Sequence, residues 1–258
     1  MLRIARERLH QRFRTTPFPN GAPPALPDRF RGLPRIDQAL AARGCEDAMA
    51  SCPTGALARA ADGRLILDAG RCIFCGECAL GCPPGAIAFT DDYRLAVRAR
   101  DDLMLSAEGL RRAAELGAGL RRHLGRSLRL RQVSAGGCNG CETDASVLST
   151  VGWDMGRFGI QFVASPRHAD GLLITGPVTR NMLLAVRKTY EAVPSPKIVI
   201  ASGACAISGG LFRGAPETCD GVTGVLPVDL FVPGCPPHPL TLLDGLLRLI
   251  GRIPEEQS

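Results

Sequence analysis

Cysteines are the residues of this sequence whose type and spacing point most directly to chemistry. Cys138 and Cys141 stand two residues apart in the stretch SAGGCNGCETD (134–144), directly before Glu142. A C-x-x-C pair of this kind is typical of a zinc half-site, of a redox dithiol or of part of an iron–sulfur site. The pair alone does not choose among the three, so the choice depends on the cysteines elsewhere in the chain.

A denser run of cysteines lies earlier, in the stretch RCIFCGECALGCPPGAI (71–87). Its spacing is C-x-x-C-x-x-C-x-x-x-C-P, formed by Cys72, Cys75, Cys78 and Cys82. Bacterial ferredoxins have this spacing: three thiolates bind one face of a [4Fe–4S] cube, and the fourth ligates the other cluster in two-cluster proteins. Zinc is the alternative, but three thiolates at two-residue intervals before a Cys-Pro are far more specific for a cluster than a lone C-x-x-C.

A related run upstream, ALAARGCEDAMASCPTGAL (39–57), keeps only part of this pattern. Counted back from Cys52, the other ligand positions fall on Ala48, Cys45 and Ala42. In a two-cluster ferredoxin the residue at the position of Cys52 crosses over to the cube of the downstream run. We therefore expect one [4Fe–4S] cluster in this half of the chain, with four ligands: Cys52, Cys72, Cys75 and Cys78.

The second cube of such a domain would retain only Cys45 and Cys82. Two thiolates do not hold a stable [4Fe–4S] cluster, so a third cluster is not expected in the chain. We expect both cysteines to be remnants that pack as small apolar residues. A non-cysteine ligand or a labile cluster at this place is the alternative.

The partners of Cys138 and Cys141 lie in the second half, where Cys205, Cys219 and Cys235 follow. All of these except Cys219 stand just after an apolar run of strand length. In an open parallel sheet the loops after the carboxyl ends of the strands lie along one edge, where ligands bind. A redox dithiol would need neither Cys205 nor Cys235, and structural zinc sites draw on short, closely spaced knuckles. We therefore predict a second [4Fe–4S] site with four ligands: Cys138, Cys141, Cys205 and Cys235. Cys219 is expected to be a free structural thiol.

The elements that must position these cysteines differ between the two halves. Residues 38–100 are turn-rich, whereas after residue 127 apolar runs of strand length alternate with helical segments. Strands are predicted at 128–134, 160–165, 171–176, 197–202 and 228–234, and helices at 178–192 and 239–249. This alternation predicts a parallel sheet covered on both faces. The predicted fold is an α+β ferredoxin-like N-terminal domain followed by an α/β flavodoxin-like domain with a parallel sheet.

The other segments complete the predicted organisation. The predicted units are a basic arm and proline-rich strap (1–37), the iron–sulfur domain (38–100), a helical connector (101–126) with a helix over about 102–124, and the second domain (127–258). A helix over 2–13 would be amphipathic and basic, which suits an anionic membrane surface, an acidic partner or solvent alike. Because no export signal, roughly 20-residue apolar span or nucleic-acid motif is recognised, we expect a cytoplasmic protein that binds no nucleic acid.

Residues 128–251 resemble the family shared by the small subunit of [NiFe] hydrogenases and the 20-kDa subunit of respiratory complex I. The matching motifs are GGCNGCE, GPVTRNM (176–182), ASGACAISGG and PGCPP. The C-N-G-C spacing is the hydrogenase one, since complex I members have adjacent cysteines there. Uptake-type hydrogenase small subunits usually carry an export signal and further cluster motifs after this domain, and neither is recognised in this sequence. The chain therefore resembles most the membrane-associated, complex I-like branch (group 4, the formate-hydrogenlyase type). Residues 15–100 resemble the two-cluster ferredoxin-like subunit of the same complexes, so the chain looks like a fusion of two neighbouring subunits.

This resemblance implies an iron–sulfur electron-transfer subunit of a multi-subunit hydrogenase, with no complete active site in this chain. Electrons would enter at the first cluster, pass to the second and reach the nickel–iron site of a large subunit. The implied partners are that large subunit, an electron-donor subunit or ferredoxin, and membrane subunits that hold the complex at the inner face of the cytoplasmic membrane. Glu142, Thr179 and Arg180 lie in the matching motifs and are candidates for the partner interface; a helix-start role is the alternative for Arg180.

Two other functions are open at this point. A complex I-like oxidoreductase, of the NADH:quinone type or a nickel-free relative, would pass electrons through the same two clusters to an acceptor other than protons. His238 and Leu240 replace the Arg and Glu that often follow PGCPP in complex I members, which weakens a quinone-site analogy. A structural or regulatory cluster protein that senses redox state or iron is of a different class, and eight ligands in an electron-chain order argue against it.

Overall fold

The computed structural model describes residues 2–12, 14–106, 110, 112, 122, 124 and 127–253. The chain begins with helix α1 (Leu2–Gln11), in agreement with the predicted basic helix. The side chains of Ile4 and Leu9 on this helix are exposed. Within the described ranges, no helix combines the length and the apolar character that crossing a membrane would take.

The proline-rich strap, residues 14–33, contains turns and bends but neither helix nor strand. At its beginning the Thr16 N–H donates to the Gly152 carbonyl (2.8 Å), and at its end the Gly32 N–H donates to the Thr90 carbonyl (2.7 Å). The strap therefore contacts both halves of the molecule.

The first half is built from short elements. They are β1 (Pro34–Ile36), α2 (Gln38–Ala41), α3 (Glu46–Ser51), β2 (Leu57–Arg59), β3 (Leu65–Asp68), α4 (Glu77–Gly81), β4 (Ile87–Phe89) and β5 (Met104–Leu105). β1 pairs antiparallel with β4, and a second antiparallel sheet has the order β2-β3-β5. The carboxylate of Asp37 accepts from the N–H groups of Ala39 and Leu40 and so starts α2. These small sheets and short helices confirm the predicted α+β class.

The second half is a parallel α/β unit. Its elements are β6 (Leu128–Ser134), α5 (Gly140–Val147), β7 (Ile160–Phe162), β8 (Gly171–Thr175), α6 (Arg180–Ala192), β9 (Ile198–Ser202), α7 (Ala204–Ser208), β10 (Leu230–Val232) and α8 (Pro239–Leu249). The five strands pair in parallel in the order β10-β9-β8-β6-β7. Strands β8, β9 and β10 are buried along their whole length, which explains their unbroken apolar runs. The predicted parallel sheet is confirmed.

The predicted connector helix differs from the structure at its beginning. A helix was expected from about residue 102, but Arg100–Leu103 form a 3₁₀ turn and β5 follows directly. Leu105 pairs with Leu67 of β3, and its side chain is buried there with Leu103, so tertiary pairing overrides the helical pattern. After residue 106, the predicted helix lies outside the described residues, apart from 110, 112, 122 and 124.

The two halves are in contact close to their cysteines. Val97 and Phe231 exchange two backbone hydrogen bonds of 3.0 and 2.8 Å. The Ser208 hydroxyl, at the end of α7, donates to the Gly70 carbonyl (2.9 Å), just before Cys72. The segment that leads into the first cysteine run therefore lies against a helix of the second half.

Candidate metal centres

The first site is formed by Cys52, Cys72, Cys75 and Cys78. Cys52 ends α3, Cys72 and Cys75 lie in the loop after β3, and Cys78 lies in α4. The structure brings all four to the wall of one cavity, which Phe89 and Thr54 also line. Their convergence agrees with the predicted crossover of Cys52 from the upstream run, and the ligand assignment itself stays a prediction.

The electrostatics of the first site favour bound metal over free thiolates. The pKa of Cys72 is raised to about 12, mainly by burial and also by nearby thiols with Cys78 first among them, while the Phe74 N–H partly opposes the shift. Burial likewise raises the pKa of Cys78 to about 11, reinforced by Cys75 and Cys52. Four thiolates this close together repel one another, so cationic iron among them is what would hold them deprotonated.

Backbone N–H groups also point at these sulfur atoms. Ala56 N–H donates to the Cys52 Sγ and Phe74 N–H to the Cys72 Sγ, each at 3.3 Å. Burial would raise the pKa of Cys52, but donors at Thr54 and Ala56 outweigh it and lower that pKa. N–H···S bonds of this kind stabilise charge on cluster sulfurs and shift the reduction potential. Spacing alone gave no sign of these donors.

A cation from the strap lies beside the first site. The Arg31 guanidinium packs over Gly76, and its Nη1 donates to the Phe74 carbonyl at 3.5 Å. Gly76 has a φ of +86°, and an added Cβ there would lie 2.6 Å from the Arg31 Nε. The position next to Cys75 thus suits glycine both for its backbone and for the approach of Arg31.

The second site is formed by Cys138, Cys141, Cys205 and Cys235. Cys138 and Cys141 stand at the turn from β6 into α5, Cys205 lies in α7 after β9, and Cys235 follows β10. All four line one cavity with Glu142 and Gly176. Because β10, β9, β8 and β6 are neighbours in the sheet, the loops after them meet at one edge, as the sequence predicted.

The backbone of the second site leaves room only for glycine next to one sulfur atom. Gly203 has a φ of +91°, and an added Cβ would lie 2.6 Å from the Cys141 Sγ. That sulfur is part of the proposed ligand set, so it cannot move aside without leaving the set. The glycine before α7 is therefore required by a close approach as well as by its backbone conformation.

The thiols of the second site raise one another's pKa as those of the first site do. Burial raises the pKa of Cys141 to about 12, with further contributions from Glu142 and then Cys205. Burial raises the pKa of Cys205 to about 11, and Cys235 adds to this. Burial and then Cys138 also raise the pKa of Cys235. The donor set is thus four sulfurs in a partly buried pocket, which fits an iron–sulfur cluster.

Three polar residues of the matching motifs have contacts inside the chain. Glu142 is buried and accepts a 2.6 Å hydrogen bond from the hydroxyl of Thr175, a residue that the sequence reasoning missed. The Thr179 N–H donates to the Ala135 carbonyl (3.0 Å). Arg180 starts α6; its side chain donates to the Pro216 carbonyl and its N–H to the Glu217 carbonyl. Arg180 thus stands at a helix start, as one of the two interpretations expected, and a partner contact for any of the three residues stays a prediction.

The prediction for Cys45 and Cys82 was wrong in one respect. The two residues are not separate apolar fillers: they are joined as a disulfide, with their Cα atoms 4.6 Å apart. The bond forms because Cys45 caps the start of α3 and Cys82 caps the end of α4, and these two helix ends are neighbours. Cys219 is free, in agreement with its prediction.

The described part of the chain contains no three His, Cys, Asp or Glu side chains near enough to one another to hold a single metal ion. This finding is compatible with cluster sites, because four thiolates around a cube are farther apart than four around one ion. His238 makes local contacts: its Nδ1 accepts from the Leu240 N–H (3.1 Å), and its ring packs against Phe30 and Trp153.

Comparison with known proteins finds a match for each of the two cysteine regions. Residues 138–249 match the family model of the NADH ubiquinone oxidoreductase 20 kDa subunit, and residues 65–88 match a 4Fe–4S binding domain. The chain is 43% identical over 149 residues to the probable membrane-bound hydrogenase subunit mbhJ of Pyrococcus furiosus, and the match covers 55% of this chain and 89% of the relative.

Two further relatives show the range of complexes in which similar chains occur. Formate hydrogenlyase subunit 7 of Escherichia coli is 41% identical over 143 residues, 55% of this chain and 56% of the relative. An NADH-quinone oxidoreductase subunit of Citrifermentans bemidjiense is 45% identical over 118 residues, 46% of this chain and 69% of the relative.

Proposed function

The chain belongs to the NADH ubiquinone oxidoreductase 20 kDa subunit family and carries a 4Fe–4S binding domain before that unit, and we propose that it relays electrons within a membrane-bound, complex I-like hydrogenase. Its partner would be a large subunit with a nickel–iron site, which this chain does not contain. An electron-donor subunit or ferredoxin would reduce it, and membrane subunits would hold the complex at the membrane.

The observation that carries this proposal is the presence of two four-thiol sites on touching halves of one chain. The first site would hold one [4Fe–4S] cluster and the second site another, and each cluster would supply reversible one-electron transfer when bound. Ser208 bonds to Gly70, so the lead into the first site packs on the helix of Cys205. A relay needs its two sites close together, and this hydrogen bond brings the segments that carry them into contact.

The residues around the sulfur atoms have separate tasks in this proposal. Ala56 and Phe74 donate N–H groups to sulfurs of the first site, which stabilises negative charge there. Glu142 accepts a hydrogen bond from Thr175 and places its carboxyl group in the wall of the second site, beside Cys141. The apolar, buried strands behind the second site exclude water from its inner side.

Iron counting tests the two-site proposal. The chain, purified anaerobically, should contain about eight irons and show two interacting S = 1/2 signals after reduction. Cys138→Ser should remove about four irons and one signal. Cys219→Ser is the matched control, since this free thiol lies outside both sites, and it should leave the iron content unchanged. Zinc in place of iron would overturn the electron-transfer proposal.

A second candidate function changes only the endpoint of the relay. The 45% identity to an NADH-quinone oxidoreductase subunit favours a complex I-like enzyme with a non-hydrogen acceptor. The metal content of the complex decides between the two. Nickel in the purified complex, with hydrogen evolution from a reduced donor, supports the hydrogenase; a nickel-free complex that reduces another acceptor supports the alternative.

A further inference from the structure

The relay leaves one covalent feature of the first half without a role. Cys45 and Cys82 stand where the second cube of a two-cluster ferredoxin would be, and they are bonded to each other. The side chain of Cys45 is fully buried and that of Cys82 is 7% exposed. The bond therefore lies inside the core rather than on the surface.

This bond joins the two helices that carry ligands of the first site. Cys45 precedes α3, and Cys52 follows the other end of the same helix. Cys82 ends α4, which contains Cys78, and the Cys82 N–H donates to the Cys78 carbonyl at 3.1 Å. A restraint between Cys45 and Cys82 thus acts on the two helices that position Cys52 and Cys78.

The helices also pack too closely for a second cube to lie between them. A Cβ added at Gly81 of α4 would be 3.2 Å from both the Cα and the Cβ of Ala48 in α3. Ala48 occupies one of the lost ligand positions and is buried at this contact. The space of the missing cluster is therefore closed by direct helix contact, with the sulfur–sulfur bond at its end.

We propose that Cys45 and Cys82 form a redox-controlled clamp that replaces the second cluster and holds Cys52 and Cys78 in place around the first. The clamp rests on the proposed function, because it acts on a cluster at the first site. Its closing converts two thiols into one S–S bond and releases two protons and two electrons. A low-molecular-weight disulfide takes these up through a mixed disulfide with Cys82, the more exposed of the two residues, and leaves as two thiols.

Counting free thiols tests the bond itself. The whole chain, purified anaerobically without added thiol, is denatured in excess N-ethylmaleimide with a chelator, and its intact mass is measured. Of the eleven cysteines, nine should be alkylated, because two are bonded to each other. Reduction before alkylation should give eleven adducts. Eleven adducts without reduction would overturn the clamp.

The rate of iron loss tests what the clamp does. In Cys45→Ala/Cys82→Ala, the first site should release iron to a chelator roughly tenfold faster, because a native crosslink restrains local opening by at least that factor. Iron release is followed optically, and the two sites are distinguished by their EPR signals. Cys219→Ala, which removes a free thiol elsewhere, should release iron at the original rate. An unchanged rate in the double variant would overturn the clamp's effect on the cluster.

The outcomes for the clamp and for the relay are separable. A chain that gives nine adducts but contains no iron would confirm the crosslink and overturn the relay. The clamp would then have no cluster to hold, so its proposed function would be overturned as well. A chain with about eight irons and eleven adducts would keep the relay and overturn the clamp.

Discussion

Each of the two candidate sites has four cysteine sulfurs, but the fold brings these sulfurs together in different ways. Three of the predicted ligands of the first site, Cys72, Cys75 and Cys78, lie in one loop and the helix that follows it, and only Cys52 comes from elsewhere. The predicted ligands of the second site come from three separate segments, which follow β6, β9 and β10 at one edge of the parallel sheet. The first site is thus largely a local structure, whereas the second exists only when the sheet has formed.

The surroundings of the two sites follow from this difference. Side chains from the strap and N–H groups of neighbouring turns surround the first site, and Arg31 lies beside it as a cation. Backbone and a buried carboxyl group surround the second site, where Gly203 approaches the Cys141 Sγ and Glu142 lines the cavity. We therefore expect the second site to tolerate less change in its walls than the first.

Gly203→Ala should have the largest effect and should act on the second site alone. The added Cβ would lie 2.6 Å from the Cys141 Sγ, and the φ of +91° is unfavourable for alanine. The variant should lose the second cluster, which is about four irons and one EPR signal, while the first signal remains. Iron assay and EPR of the reduced chain measure both.

The control for this variant is Gly63→Ala. Gly63 has a similar φ of +83°, but an added Cβ there would have no atom within 4 Å. It carries the backbone strain without the clash, so it should keep all of its iron. If Gly203→Ala also kept its iron, the close approach to Cys141 would not prevent cluster binding at the second site. The expected difference in tolerance between the two sites would then be wrong.

The same difference decides how much of each site the sequence predicted. The spacing of Cys72, Cys75 and Cys78 is visible in a few residues, and the ferredoxin pattern supplied Cys52. The second site required a fold prediction first. The predicted parallel sheet is present, and the predicted strands 128–134, 197–202 and 228–234 are each followed within four residues by one of the predicted ligands, Cys138, Cys205 or Cys235. In both sites the prediction used only where the cysteines stand along the chain, relative to one another or to a predicted strand.

What the sequence did not predict depends on contacts between distant residues. The bond between Cys45 and Cys82 requires two helix ends to be neighbours, and a pattern of lost ligands gives no sign of it. Thr175, at the end of β8, donates a hydrogen bond to Glu142 in α5, and Arg31 reaches Gly76 from the strap. The predicted connector helix failed at its start because Leu105 pairs with Leu67, a tertiary preference that local periodicity does not contain.

Gly76→Ala should have an intermediate effect and tests the tolerance of the first site. Its added Cβ would meet the Arg31 Nε at 2.6 Å, but this is the far end of a flexible side chain that can move away. We expect the cluster to remain and the free energy of unfolding to fall by about 1–2 kcal/mol, the cost of a left-handed backbone conformation for alanine. Anaerobic urea unfolding measures this. Loss of about four irons would instead show that the first wall is as restrictive as the second.

Arg31→Gln should have the smallest effect and asks whether a side chain from the strap tunes one site only. A cation beside a cluster favours its reduced, more negative form, so removing the Arg31 charge should lower the midpoint potential of the first cluster. Because Arg31 is exposed and screened by solvent, we expect a shift on the order of tens of millivolts. An EPR-monitored redox titration measures both clusters in one sample. Arg31→Lys keeps the charge and should restore most of the potential, whereas an equal shift in both clusters would mean that Arg31 acts on the whole molecule and that the two sites are not independently tuned.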